Sequence, residues 1–447
     1  MTQTPLDQAD FLDEARRTHA GAPEFLQALE EITADIWPVL EQTPEYREAR
    51  ILERLSEPDR IIRFRVSWMR DDGSVAINRG WRVQHSNLLG PYKGGLRFHA
   101  GVSESEIRFL ALEQTVKNAL TPLSLGGAKG GSDFDPSGCS EGEIMRFCQA
   151  FMMQLAPFIG PRRDIPAGDI NVSSREIGYL FGAYRAQTQT FEGALTGKDT
   201  GWGGTCLRAE ATGYGLVHFA SLMAEEAGRS LDGASAAISG AGNVALHAAE
   251  RALKYGMSVR ALSSSQGALA WKTSASQDDI ERIKQARKNR NADLESLASE
   301  LGASWHGSRK AFDIPADVVL PCATQNELDA DDAAQLLDQG CWLVAEGANM
   351  ASTADAMVRL RKADSVLYAP SKAANAGGVA VSGFEMAENA RFSAHNPDNP
   401  DAELQRVMAD IHALCLDHAP GQGDYAAGAN IAGFHRVARA MLDQGVA

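Results

Sequence analysis

Short apolar runs alternate with helical stretches through the second half of the chain, at residues 236–238, 259–262, 318–320, 342–344 and 366–368. That rhythm predicts a doubly wound sheet. The first run leads directly into Gly240-Ala241-Gly242-Asn243-Val244-Ala245. A helix follows, with Ala248, Ala252 and Leu253 facing inward, and then a second strand. Gly-x-Gly-x-x-Ala in this strand–turn–helix–strand setting is the fingerprint of dinucleotide binding. Gly240 permits the tight turn, Gly242 lets a pyrophosphate approach the backbone, and Ala245 allows close helix–strand packing. The helix N-terminus then faces the phosphates. An acidic residue at the end of the second strand would hold a ribose 2′-hydroxyl and repel a 2′-phosphate. Here the segment is Leu262-Ser263-Ser264-Ser265-Gln266-Gly267, with no carboxylate. Serine hydroxyls donate to a phosphate, and Lys284, Arg287, Lys288 and Arg290 on the next helix could add positive charge. The segment favours NADP, with NAD as the alternative.

The first half reads differently. Up to about residue 60 the pattern is charged amphipathic helix, with Phe25, Leu26, Leu29, Ile32 and Ile36 near helical spacing. Ile62, Phe64, Val66 and Trp68 then alternate with polar residues, as in a half-buried strand. Asp71-Asp72-Gly73-Ser74 is a turn, and 75–77 and 81–83 read as further strand. Ser103-Glu104-Ser105-Glu106 opens a helix as a capping box. Gln114 and Lys117 share a face near that helix's C-terminal end. This α+β block should end in the glycine-rich stretch 201–208. Two domains are expected: 1–205, and a Rossmann-like doubly wound domain over 206–428. The tail, 429–447, reads as one more amphipathic helix, expected to pack back on the first domain.

Three lysines lie in or beside glycine-rich segments of the first half: Lys93 before Gly94-Gly95, Lys117, and Lys129 inside Gly126-Gly127-Ala128-Lys129-Gly130-Gly131. One such lysine is most simply a solvated turn; three within forty residues suit a small dianionic substrate. The chain as a whole is acidic, with 43 Lys and Arg against 58 Asp and Glu, a net charge of −15. That argues against a general nucleic-acid surface or an anionic membrane partner, and it sets the lysines against the global field. No apolar stretch is long enough to cross a bilayer, and no signal peptide is visible near the N-terminus. The six cysteines form no Cys-x-x-Cys, and the ten histidines show no ligand spacing. Reduced thiols and no metal site are therefore expected, as in a cytoplasmic protein.

The segments 92–99, 126–133, 166–170, 210–215, 321–329, 345–350, 372–378 and 428–434 resemble those of the hexameric glutamate dehydrogenases, members of the Glu/Leu/Phe/Val dehydrogenase family. The resemblance runs from roughly residue 30 to the C-terminus and is greatest to the bacterial NADP-linked type. It implies an oxidoreductase of amino-acid metabolism and ammonia assimilation, reversibly aminating 2-oxoglutarate with ammonia and NADPH to L-glutamate. It implies a homohexamer whose first domain serves substrate binding and oligomerisation. By the same resemblance Lys129 and Asp169 are catalytic. Lys117 and Gln114 hold the substrate α-carboxylate; Lys93 and Ser382, helped by Thr196 and Arg208, hold the γ-carboxylate. Thr212, Val244, Asn243, Asn349 and Asn375 are implied at the cofactor. Two neighbouring ammonium groups would depress the pKa of the third lysine. Relatives acting on leucine, valine or phenylalanine have apolar residues in place of Lys93 and Ser382. Departures from the family pattern lie at Asn171 and 172–174, where glycines are usual, and at Trp202, Ala209, Ser264 and Ala351. The alternatives are the same reaction with NAD, and a catalytically silent metabolite-binding homologue.

Overall fold

A computed structural model describes residues 7–288, 293–392 and 399–446. In chain order the first elements are α1 (Gln8–Thr18), α2 (Pro23–Gln42), α3 (Pro44–Glu48), α4 (Ile51–Leu55), β1 (Arg60–Met69), β2 (Val75–Ser86), β3 (Tyr92–Phe98), α5 (Glu104–Leu120), β4 (Gly127–Ser132), α6 (Glu141–Leu155), β5 (Asp164–Gly168) and α7 (Ser174–Thr188). Next come α8 (Ala211–Glu226), β6 (Ser235–Ile238), α9 (Asn243–Lys254), β7 (Ser258–Ser264), β8 (Gly267–Ala270), α10 (Gln277–Arg287), α11 (Glu295–Ala298), β9 (Ser304–Gly307) and β10 (Val318–Leu320). The chain ends with α12 (Ala330–Asp338), β11 (Leu343–Ala345), α13 (Ala354–Lys362), β12 (Leu367–Ala369), α14 (Ser371–Ala374), α15 (Gly377–Arg391), α16 (Pro400–His418) and α17 (Tyr425–Gln444). It divides into two compact units: Met1–Cys206 with Val381–Asp398 and Asn430–Ala447, and Leu207–Ala380 with Asn399–Ala429. Residues 381–392, assigned from sequence to the second domain, group with the first unit.

The first unit is built on a five-stranded sheet of order β1-β2-β4-β3-β5. β1, β2 and β4 are antiparallel neighbours, while β3 runs parallel to both β4 and β5. The two strand segments expected over 75–83 are one continuous strand. One face packs on α6 and α7 through Val66, Trp68, Leu96, Phe98, Phe147, Phe151, Leu180 and Phe181. The other buries Trp81 and Val83 against Ile107 and Ala111 of α5. Ser103 caps α5 by accepting from the Glu106 backbone N–H, but the reciprocal half of a capping box is missing, because the Glu106 carboxylate turns to Arg97. Arg436 of α17 donates to the carbonyls of Ala119, Thr121 and Leu123, satisfying backbone oxygens where α5 ends.

The Gly126–Gly131 stretch is no turn. Gly127–Ser132 is a fully buried strand, and its glycines are there because other atoms occupy the space a side chain would need. A Cβ on Gly127 would overlap Thr115 of α5, and one on Gly131 would overlap the Arg97 carbonyl. The close approach of α5 to β4 thus depends on missing methyl groups.

The second unit carries a seven-stranded sheet of order β12-β11-β10-β6-β7-β8-β9. The five strands from β12 to β7 are parallel, as a doubly wound sheet requires. Two short antiparallel strands, β8 and β9, extend it beyond β7. The strand order reverses at β6, so the switch point lies where β6 runs into Ser239 and Gly240, the place ligands occupy in such sheets.

Gly127→Ala should lower stability by about 1–3 kcal/mol through overpacking. Gly182→Ala, in α7 with nothing within 4 Å of the added carbon, should be neutral or stabilising by up to about 1 kcal/mol. Denaturant melts of the two variants beside the parent measure both.

Candidate functional site

In the first unit the parallel strands β4, β3 and β5 bring three sequence-distant segments side by side. Lys129 alternates with Gly127 and Gly131 on β4, so its side chain leaves the sheet on the α5 face. Arg97 stands next to Gly131 in register on β3, and β5 ends at Gly168, one residue before Asp169. The ammonium of Lys129 lies 3.2 Å from Asp169 Oδ2, and Arg97 Nε donates to the same oxygen at 2.8 Å. Arg97 Nη1 reaches Glu106 Oε1 at 2.5 Å. The lysine and arginine side chains are nearly sealed, at 4% and 6% exposure, whereas Asp169 keeps 18%. The carboxylate is therefore the member of this cluster most open to a small molecule. Gly95 is required beside it, since a Cβ there would stand 2.9 Å from the Asp169 Cβ.

The electrostatics follow from burial and sign. Burial acts first on Lys129 and lowers its pKa; Asp169 opposes this, and Arg97 adds to the lowering. The expectation that neighbouring lysines do this is corrected: desolvation leads, and the named cation is Arg97. Burial also works to raise the Asp169 carboxyl, but Lys129 and then Arg97 outweigh it and hold it well below the usual carboxylate range. The residue after next, Asn171, has φ +59°, a left-handed conformation that asparagine tolerates, and its amide donates to the Phe98 carbonyl at 2.9 Å. That bond pins the turn behind Asp169.

Lys93 on β3 is 1% exposed and Lys117, in the last turn of α5, is 8% exposed. Gln114 is bound to Asn118 at 2.7 Å, and Asn118 also donates to the Lys93 carbonyl at 3.2 Å. These contacts tie Lys93, Gln114 and Lys117 to one stretch of α5 and β3. Thr196 is buried, with its backbone N–H on the Pro166 carbonyl of β5 and its Oγ1 without a partner among the described residues. Ser382 is likewise buried, on α15 one turn before Glu385, whose carboxylate accepts from Gly197 N at 2.8 Å. Arg208 belongs to the second unit, beside Gly378.

In the second unit, Gly240 has φ +88° with the Ala323 Cα 3.1 Å from where a Cβ would stand, so glycine is needed twice over. Gly242 is the N-cap of α9 and has nothing within 4 Å of where a Cβ would stand, and no side chain caps the helix. The first-turn N–H groups thus have no side-chain cap and the backbone at Gly242 is open to close approach, which fits a pyrophosphate. Val244 and Asn243 belong to this first turn, and Asn243 is steadied by the Ala209 carbonyl at 2.5 Å. Thr212 lies in the first turn of α8, against Gly378. Asn375 donates to the Gly347 carbonyl at 2.9 Å and to Asn349 Oδ1 at 3.1 Å; its own buried Oδ1 has no partner among the described residues. Asn349 and Asn375 therefore form one amide cluster with spare hydrogen-bonding capacity.

Ser263 and Ser264 end β7 as expected. Ser264 Oγ also accepts from Gln266 N at 3.2 Å, within the β7–β8 turn. The Lys284 ammonium is bound to Glu250 of α9 at 2.5 Å, a carboxylate it shares with Lys254. Arg290 lies outside the described residues. No cluster of metal-ligating side chains occurs among the described residues.

Reading the sequence alone misses Arg97 and Glu106. A signal was available: Arg97 follows Lys93 by four on a strand, which puts both on one face.

Residues 58–186 match the family model described as Glu/Leu/Phe/Val dehydrogenase, dimerisation domain, and 203–445 match Glutamate/Leucine/Phenylalanine/Valine dehydrogenase. The chain is 46% identical over 439 residues to an NADP-specific glutamate dehydrogenase of Escherichia coli, covering 98% of each. Among solved structures it resembles Plasmodium falciparum glutamate dehydrogenase, with TM-score 0.94 and 43% identity over 98% of this chain and 94% of that one. It also resembles the hetero-hexameric glutamate dehydrogenase of Thermus thermophilus, with TM-score 0.80 and 26% identity over 92% and 97%.

Because its folded-state pKa is depressed, Asp169 contributes stability that is complete above the unfolded carboxylate range, about pH 4, and is lost as pH falls through the lower native value. Asp169→Asn should therefore cost about 3 kcal/mol near neutrality, by leaving the buried Lys129 ammonium without its carboxylate and Arg97 with Glu106 alone. The deficit should shrink progressively below about pH 4. Denaturant titrations of both proteins across that range test the sign.

Proposed function

The chain belongs to the Glu/Leu/Phe/Val dehydrogenase family, and on that footing we propose that it catalyses the reversible reductive amination of 2-oxoglutarate with ammonia and NADPH to L-glutamate. It is an NADP-dependent oxidoreductase acting on small molecules. The observation that carries the substrate reading is the pairing of a buried Lys129–Asp169 couple with two further sequestered lysines, Lys93 and Lys117, in one unit.

A five-carbon dicarboxylate needs a cationic anchor at each end. Lys117 with Gln114 is read as the α-carboxylate seat. Lys93 with Ser382 and the unpartnered hydroxyl of Thr196 is read as the γ-carboxylate seat. Arg208 is retained as a further cation only by resemblance. Starting from neutral ammonia, the reaction consumes two protons, one leaving with water from the carbinolamine and one ending on the product amine. Lys129 suits the first of these transfers, because its lowered pKa makes an ammonium that gives up its proton readily, and its charge stabilises the developing alkoxide. Asp169, with one oxygen fixed by Lys129 and Arg97, is read as the shuttle to and from the amine nitrogen. When bound, NADPH supplies the hydride. Gly240, Gly242, Asn243, Val244 and Thr212 are read as its phosphate and ribose contacts, Ser263 and Ser264 as the 2′-phosphate contacts, and Asn349 with Asn375 as the amide pair that orients the nicotinamide.

Specificity has a physical basis in Lys93. An apolar substrate side chain would leave that buried ammonium facing hydrocarbon, so leucine- or valine-like substrates are rejected. We propose a homohexamer, supported by the dimerisation-domain match and by the hexameric resemblance. A cytoplasmic setting is supported by six free cysteines, and no helix among the described residues is long and apolar enough to cross a membrane.

Lys129→Ala should lower kcat by at least about 10²–10⁴-fold while 2-oxoglutarate still binds; full turnover would refute its role. Lys93→Leu with Ser382→Val should cut kcat/KM for 2-oxoglutarate by orders of magnitude, and unchanged kinetics would remove the γ-carboxylate assignment. Initial rates with NADPH against NADH, on the parent and on Ser264→Asp, test the serine-lined phosphate seat.

A further inference from the structure

Lys198 and Glu385 form an ion pair of 2.6 Å with side-chain exposures of 1% and 0%. Removing two charges from water is costly, and an apolar pair of the same volume would often be as stable. The pair also sits where it controls something. Glu385 accepts from the backbone N–H of Gly197 at 2.8 Å and of Lys198 at 3.3 Å, while Lys198 Nζ returns to the Leu195 carbonyl at 2.5 Å. Together these bonds grip 195–198 from both sides, and the residue in the middle is Thr196. The Thr196 N–H is held by β5, its hydroxyl is buried, and Oγ1 has no partner among the described residues. Gly197 takes φ +90° and lies 4.0 Å from the Gly168 N–H, measured from where its Cβ would stand. The loop therefore runs against the end of the strand that carries Asp169. Ser382 stands three residues before Glu385 on the same helix, so it shares that face. Further along α15, Glu388 accepts from Thr205 at 2.7 Å and Asn389 donates to Gly203 at 2.8 Å.

We propose that Lys198 and Glu385 are positioning residues that fix the Thr196 hydroxyl, in step with Ser382, as a donor to the substrate's side-chain carboxylate, and so set the preference for dicarboxylic over monocarboxylic 2-oxo acids. This rests on the reading of Thr196 and Ser382 given above. A buried charge pair holds a loop backbone more strictly than apolar packing does, because displacement would strand a charge. The orphaned hydroxyl is the group so held.

The test compares kcat/KM for 2-oxoglutarate with that for 2-oxohexanoate, whose chain has no second carboxylate, in the intact enzyme. Glu385→Gln keeps the volume but loses the charge; it should lower the 2-oxoglutarate preference at least tenfold, mainly through KM. Thr196→Val should lower it similarly, and Thr196→Ser should restore it. The variant carrying both Glu385→Gln and Thr196→Val should lose no more than the larger single loss, since one residue acts through the other. General structural damage would depress both substrates alike and leave the preference intact. A folded Glu385→Gln with unchanged preference, or losses that multiply, would overturn the proposal while Thr196 keeps its role. No change in Thr196→Val would overturn the reading of Thr196, and the proposal with it. Should Glu385→Gln fail to fold, Lys198→Met with Glu385→Leu removes both charges together, and an unchanged preference there overturns the proposal.

Discussion

One carboxylate oxygen, Asp169 Oδ2, receives both the Lys129 ammonium and the Arg97 guanidinium. Two buried cations converge on it: without it Lys129 would lose the carboxylate that opposes its desolvation, and Arg97 would keep Glu106 alone. The same contact sets the chemistry: it keeps the aspartate ionised against its burial and moderates the loss of charge on the lysine. Glu106 completes the balance from the first turn of α5. The helix that carries Gln114 and Lys117 is thereby tied at its other end to the Lys129–Asp169 pair.

That cluster exists because strands come closer to helix and loop than side chains would allow. Glycines at 95, 127 and 131 each leave out a carbon that would collide with Asp169, Thr115 or the Arg97 carbonyl. In isolation a Gly-Gly-Ala-Lys-Gly-Gly segment looks like a flexible loop. Within the sheet it is a rigid strand from which a single side chain projects. The lysine is presented by close packing, not by mobility.

Buried charge recurs in the first unit as a means of placement. Arg82 lies fully buried against Asp164, which Gln84 also contacts at 2.9 Å, and this fixes the start of β5. Lys198 and Glu385 fix the loop at 195–198. In each case a buried ionic contact holds backbone in place. The second unit works with less charge. The seat proposed there for the dinucleotide consists of an uncapped helix, a positive-φ glycine and a pair of amides.

The amino-acid sequence by itself determined the parallel strands of the second unit, the glycine turn after β6, the absence of an acid at the end of β7, and the three lysines. All of these are written in contiguous residues, where side-chain period and turn chemistry act over a few positions. β8 and β9 escaped because Gly267–Ala270 and Ser304–Gly307 are four residues each and gain strand character only by pairing. The partners of the site escaped for a related reason. Arg97 meets Asp169 across 72 positions and Lys198 meets Glu385 across 187, and nothing local marks either as a pair. Lys284, placed at a phosphate by its sequence position, is held by Glu250 from the neighbouring helix. Which charges meet, and which polar atoms are left open for a ligand, was decided only in the tertiary structure, because burial, and with it the cost of an unpaired charge, exists only once distant segments have packed.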